Sequence, residues 1–322
     1  MTSQPAPSST PAPSSTPTPS STPTPVRLAV ACGDQLGEAS LWDEASALLW
    51  WIDIKAPVLN RLDATTGKAE RWTLPAAPGC LALPSRSLGL AGPLVALPTG
   101  LAVFDPDSLA LTPFGDGGPS VEARNRCNDG RVDRQGRLWV GTMDDAEEQR
   151  SGALYCVTAA GWERQFGDVG VPNATCFSLD GSTMYWADSW DRTIWAFAID
   201  PETTHITNRR VFASIEGDGV PDGATVDAED HVWCCIWDGW CIVRFRPDGT
   251  VERSVALPVQ RPTCPTFGGP DLATLYVTSA MHGLSTHDLR AQPLAGNVLA
   301  IDAGTVFGVH GVPESRFGAL PR

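Results

Sequence analysis

One aromatic-marked motif recurs every 43–48 residues along this 322-residue chain, and that period constrains the fold more than any other feature. The motif is a turn followed by a short apolar strand. It reads DEASALLWWID at Trp50, RQGRLWVGT at Trp139, LDGSTMYWAD at Tyr185, AEDHVWCCIWDG at Trp233 and PDLATLYVTS at Tyr276, with a weaker copy, AGPLVALPTG, at Val95. A second strand follows most marks, as in GLAVFDPDS and RTIWAFAIDPET. These runs are rich in Val, Ile, Leu and Trp and are bounded by Gly, Asp and Pro turns, while helical periodicity is nearly absent. A repeat near 45 residues with several strands per unit reads as a β-propeller blade. Residues 26–322 hold six such units, so the expectation is an all-β, six-bladed β-propeller. A β-sandwich or a pair of barrels needs no constant spacing. Large indoles suit the wedge between blades, which gives the 12 Trp a role. An open ring would expose sheet edges, so Arg27–Cys32 is expected to pair in the same blade as Asn297–Val306.

Residues 1–25 differ in kind. They hold 8 Pro and 13 Ser or Thr, in tandem PAPSST, PAPSST and PTPSST units, with no charged side chain. Such a segment cannot offset its ordering entropy and is expected to be a disordered, extended tail with no catalytic role. It lacks the basic start and apolar stretch of a secretory signal. The chain thus divides into a tail, 1–25, and a propeller, 26–322.

Composition narrows the partners. With 23 Lys and Arg against 37 Asp and Glu, the net charge of −14 argues against a nucleic-acid groove. No run approaches the roughly 18 apolar residues of a membrane span. The nine cysteines are odd in number, form no CxxC and sit in apolar runs, which points to free buried thiols and a cytoplasmic location. No long apolar edge is apparent, which favours a monomer. The five histidines show no HxH or HExxH spacing, and no GxSxG elbow, P-loop or GxGxxG follows a strand.

A polar phase runs inside the repeat. Counting back 11 or 12 residues from each aromatic mark lands on Glu38, Asn128, Asn173 and Asp222, and, in the other two units, on Leu83 or Pro84 and on Cys264 or Pro265. The innermost strand of each blade lines the central channel, so one fixed phase should face the axis from every blade. Four of six positions carry side-chain oxygen, which suits a divalent cation. A cation would also relieve the repulsion between Glu38 and Asp222. Plainer readings exist for each. Asn128 and Asp129 before Gly130, and Asp222 before Gly223, could form turns, and Glu38 could be an exposed strand end. Asp133, Asp180 and Asp227 precede turns and read as turn formers.

At these residues the chain resembles the senescence-marker-protein, gluconolactonase and luciferin-regenerating-enzyme family, also called regucalcin-like. The stretches that carry the resemblance are LGEASLWD, NRCNDGRVDRQGRLWVGTM, VPNATCFSLDGSTMYWADS, DGVPDGATVDAEDHVWCCIWDG and PTFGGPDLATLYVTSA. Within the family it is most similar to bacterial sugar lactonases. The resemblance implies a six-bladed propeller with one divalent metal held by Glu38, Asn173 and Asp222. It further implies substrate contacts from Arg126 and Asn128. A Glu that follows GTM in the family aligns here with Ala146, so Asp145 or Glu147 is expected to replace it. Cys127 stands where animal members have an aromatic residue, which implies a different pocket wall.

The expected activity is metal-dependent hydrolysis of a sugar lactone to the aldonic acid, with gluconolactone, xylonolactone and arabinonolactone as implied substrates. Asp222 would exchange the proton of the attacking water. Ca²⁺ and Mg²⁺ suit the oxygen set, and Mn²⁺, Fe²⁺ and Zn²⁺ accept such sets as well. The alternatives are a non-catalytic regulatory propeller that binds the metal, and a promiscuous esterase or phosphotriesterase on the same scaffold.

Overall fold

The computed structural model describes residues 26–119 and 124–318. The tail expected over residues 1–25 lies outside them. The described chain forms six four-stranded antiparallel sheets. Blade one is Gly37–Asp43, Leu48–Asp53, Val58–Asp63 and Lys68–Thr73, and each following blade repeats that order outward from the axis. The innermost strands of blades two to six are Cys80–Ala82, Asn125–Val132, Pro172–Phe177, Val220–Val226 and Pro262–Gly268. All six aromatic or Val95 marks fall in the second strand of a blade, which is why the period is so regular.

Burial falls from the axis outward. In blade three the innermost strand is buried throughout, while the outermost, Gly161–Val169, is mostly half-exposed. Rings fill the wedges between blades as expected. Trp72 meets Phe104 with centroids 5.0 Å apart, Phe166 meets Trp186 at 5.2 Å, and Trp42 stacks on Tyr276 at 5.9 Å.

The ring closes through the first strand. Val26–Val30 pairs antiparallel with Val298–Asp302, which makes it the outer strand of blade six. The closing strand is shorter than the expected Asn297–Val306. Asp302 ends it by accepting from Thr305 N, which starts a short helix over Ala303–Phe307.

The innermost strands share a kink. In blades one, three, four, five and six the pairing with the second strand slips by a β-bulge, after Glu38, Asn128, Asn173, Pro221 and Pro262 respectively. The residues behind the first three, Ala39, Asp129 and Ala174, have φ of 51°, 26° and 55°. Such left-handed conformations cost about 1–2 kcal/mol each outside glycine. A bulge re-aims the adjacent side chain, and in four of these blades a polar residue at the bulge, Glu38, Asn128, Asn173 or Asp222, lines the central cavity.

The far end of the channel is closed. Arg131, from blade three, donates to Thr225 Oγ1 of blade five at 3.0 Å and to Ser40 O of blade one at 3.2 Å. One guanidinium therefore crosses the axis. Glu314 pairs with it at 3.2 Å. The segment around Glu314 is tied across the underside, with Phe317 N donating to Leu83 O and Gly318 N to Gly136 O.

Candidate active site

At the open end lies a cavity of about 600 Å³. All seven residues singled out in the sequence line it: Glu38, Arg126, Asn128, Asp145, Glu147, Asn173 and Asp222. Glu38, Arg126, Asn128, Asn173 and Asp222 are only 4–8% exposed, so their charges and dipoles are little screened by bulk water. The plainer readings of three residues do not survive. Glu38 is not an exposed strand end, and Asn128 and Asp222 lie within strands rather than turns.

A directed chain of hydrogen bonds fixes the carboxamides. Arg126 Nη1 donates to Asn128 Oδ1 at 2.6 Å. Asn128 Nδ2 donates to Pro172 O at 2.9 Å and to Asn173 Oδ1 at 3.3 Å. Asn173 Nδ2 donates to Ser189 Oγ at 2.9 Å, and that hydroxyl donates to Pro221 O at 2.7 Å. Each amide thus has one sensible orientation, with Asn128 Oδ1 accepting from Arg126 and Asn173 Oδ1 accepting from Asn128. Arg126 is held from the other flank, where its Nε donates to Asp145 Oδ1 at 2.7 Å. Lys55 Nζ reaches the same oxygen at 2.8 Å. No partner among the described residues takes Arg126 Nη2, which leaves it for a ligand.

The two axial acids perturb each other. Burial and Asp129 push the Glu38 carboxyl well above its ordinary range, and burial and Glu38 do the same to Asp222. Asp129 lies deeper, buried, with its Oδ2 accepting from Thr175 N at 2.8 Å. Two desolvated carboxylates facing one axis, beside the Asn173 and Asn128 carboxamides, form a hard-oxygen donor set that fits a divalent cation. Among the described residues, no group of three or more His, Cys, Asp or Glu side chains is placed to hold a metal. A cation here therefore depends on the carboxamides, which the phase of the repeat already marked.

Some readings need correction. Blade two contributes no side chain at the polar phase. The fixed count reaches Leu83 or Pro84, but the innermost strand is Cys80–Ala82, and Gly79 just before it donates to Ala96 O. A Cβ on Gly79 would lie 2.4 Å from Cys127, so no larger residue fits. In blade six the bulge holds Thr263 and Cys264, and neither lines the cavity. Cys127 forms no pocket wall either. It alternates away from Arg126 and Asn128, is fully buried, and its thiol donates to Leu97 O at 3.4 Å. Asp133 and Asp227 do more than form turns. Both are fully buried and accept from the indole N–H of the next mark, Trp139 and Trp233, at 2.8 Å. Asp180 is the turn former of the three. All nine cysteines are free and seven are buried, as expected.

Sequence reasoning missed the mouth. Lys55, Ser189, Trp190, Trp237, Arg261 and His282 also line the cavity. Five of them obey a second phase, four to six residues after the aromatic mark: Trp50 to Lys55, Tyr185 to Ser189 and Trp190, Trp233 to Trp237, Tyr276 to His282. Trp139 reaches Asp145 by the same step.

Residues 36–281 match the SMP-30/Gluconolactonase/LRE-like region. The chain belongs to that family. Among its curated relatives, a 6-deoxy-6-sulfogluconolactonase of Pseudomonas putida is 36% identical over 290 residues, covering 88% of this chain and 94% of the relative. An L-arabinolactonase of Azospirillum brasilense is 36% identical over 292 residues, covering 89% and 93%. A solved calcium-binding regucalcin from Agrobacterium tumefaciens superposes with a TM-score of 0.84 at 31% identity, covering 92% of this chain and 98% of that one. Among the described residues of this family member, no helix is long and apolar enough to cross a membrane.

Proposed function

We propose that this protein is a hydrolase that opens a sugar lactone to its aldonic acid, with a divalent cation in the channel. The observation that carries the reading is the placement of Arg126 and Asn128 beside the Glu38–Asp222 pair, in one hydrogen-bonded network with Asn173. Pure cation storage has no use for a buried guanidinium with a spare donor edge. The names of the lactonase relatives support the same class.

Glu38, Asn173 and Asp222 would hold the cation, which supplies Lewis-acid polarisation of a carbonyl when bound. Asp222 takes a proton from the attacking water on its carboxylate and returns it to the ring oxygen that leaves. Arg126 presents its free Nη2 to the substrate, and its fork geometry, pinned by Asp145 and Asn128, costs little reorganisation on binding. Glu147 lies at the mouth with a solvent-exposed carboxylate, placed to accept from a sugar hydroxyl. Trp190 and Trp237 give the cavity apolar faces on which a sugar ring can rest.

The test is a panel of aldonolactones, including gluconolactone, xylonolactone and arabinonolactone, against a panel of divalent ions. Acid release is followed with a pH indicator, after chelation and after each ion is returned. Full turnover in the chelated protein would remove the metal from the reading. Tight cation binding with no turnover on any lactone would favour a binding protein, the reading that the calcium-binding relative supports.

A further inference from the structure

We infer that the preferred lactone carries an anionic group at the end away from its ring carbonyl: a carboxylate, a sulfonate or a phosphate. The inference rests on the lactonase reading and narrows its substrate class. It comes from the charge of the cavity mouth, which the hydrolysis itself does not require.

Four permanent cations line the cavity: Lys55, Arg126, Arg192 and Arg261. Above the axial pair only two acids line it, Asp145 and Glu147. Asp145 is shared, because Lys55 Nζ and Arg126 Nε meet the same Oδ1 at 2.8 and 2.7 Å. One carboxylate therefore serves two cations. The Arg192 guanidinium donates to the main-chain carbonyls of Ile215, Gly217 and Asp218 and makes no ion pair among the described residues. Arg261 has its own partner, Asp238, at 2.6 Å. Asp238 does not line the cavity, so four cations face two lining acids above the axial pair. The axial carboxylates would be offset by the divalent cation that Glu38, Asn173 and Asp222 would hold.

His282 reports the same field from within the cavity. Its imidazole is pushed below the ordinary range by burial first and by Lys55 next, with Arg261 and Arg126 adding to them against the opposing Glu147. A neutral imidazole among these cations can donate an N–H to an oxyanion. On a chain of net charge −14, a cationic mouth is not a by-product of composition. Lys55 and His282 come from adjacent blades, one and six, and Arg261 donates to the main-chain carbonyl of His282, so these three groups cluster on one side of the cavity.

The experiment compares, on the purified full chain, a neutral aldonolactone with counterparts bearing a carboxylate, sulfonate or phosphate at the terminal carbon. Charge-assisted hydrogen bonds set the expected gain in kcat/KM at about tenfold or more for a charged lactone. Lys55→Met and Arg261→Gln should each reduce the charged-to-neutral ratio several-fold. Equal kcat/KM for both kinds of lactone overturns the inference and leaves the lactonase reading standing, and this comparison needs no variant to fold. A ratio unchanged in both variants also overturns it. A second source of anion is the carboxylate formed by ring opening. If the aldonate formed from the neutral lactone inhibits as strongly as the one bearing the extra charge, the cations serve that carboxylate and the inference fails. Hydrolysis of neither lactone overturns the lactonase reading and this inference with it.

Discussion

Ser189 holds the Asn173 carboxamide in place: Asn173 Nδ2 donates to Ser189 Oγ at 2.9 Å, and the hydroxyl in turn donates to Pro221 O at 2.7 Å. Because that hydroxyl is committed as a donor to Pro221, it can only accept from the amide, and so Ser189 fixes the orientation of the Asn173 carboxamide. Outer partners of metal ligands typically govern about 10–100-fold in affinity. Ser189→Ala is expected to weaken divalent-cation binding by that order in titration calorimetry, while Ser189→Thr keeps most of it. Equal affinity in wild type and Ser189→Ala would remove the positioning role.

Asp222 has two duties in the proposed reaction, and they can be separated. Asp222→Asn keeps an oxygen donor but cannot take a proton. A drop in kcat of about 10²–10⁴-fold is expected, with cation binding reduced but still measurable. Retention of kcat within a few-fold would assign the proton to another group.

Arg126 should act on binding more than on turnover. Arg126→Gln removes the free Nη2 edge and leaves Asp145 to Lys55. KM for a lactone is expected to rise more than kcat falls. A selective fall in kcat would instead place Arg126 on the developing oxyanion.

The axial acids give the metal-free protein an unusual pH profile. Both carboxyls are raised in the folded state from ordinary values of 4.5 for Glu38 and 3.8 for Asp222. The folded chain then holds more protons than the unfolded one, so this contribution to stability is present in acid and is lost as pH rises above the ordinary carboxylate range. A thermal-unfolding series in chelator should show Tm falling over that rise, and added divalent ion should recover more at high pH than at low. A cation effect of the same size at every pH would argue against the pair as its ligands.

Closure can be tested by truncation. Deleting residues 2–32 removes Val26–Val30 and leaves Val298–Asp302 as an unpaired edge. Loss of the cooperative unfolding transition or aggregation is expected. A monomer with wild-type Tm would show that the outer strand of blade six is dispensable.

Much of this was legible because the propeller repeats one solution six times. Trp50, Trp139, Tyr185, Trp233 and Tyr276 all occupy the second strand, where the wedge between blades wants a large ring. The polar phase was legible where the link between the first two strands is short, as from Asp43 to Leu48. It failed in blade two because Ala82 and Leu94 are separated by a longer connection containing the turn Arg86–Leu88, so a fixed count back from Val95 stops short of Gly79. Ser189 and Lys55 were not found because they lie in the connections beyond the second strand, Ser189 in the short helical turn Ser189–Asp191 and Lys55 between Asp53 and Val58. Their residue types vary from blade to blade, and their distance from the mark varies from four to six residues. The anchoring role of Asp133 and Asp227 was hidden because a turn-forming Asp and an indole acceptor look alike in sequence.

Arg131 has a consequence for traffic through the protein. By crossing the axis to Ser40 and Thr225, with Glu314 beneath, it turns a tunnel into a blind well. A molecule that enters must leave by the door it came through. Acid and lactone therefore queue at one opening, and the reaction cannot run as a flow-through process. At high lactone each acid must therefore clear that mouth before the next lactone can enter.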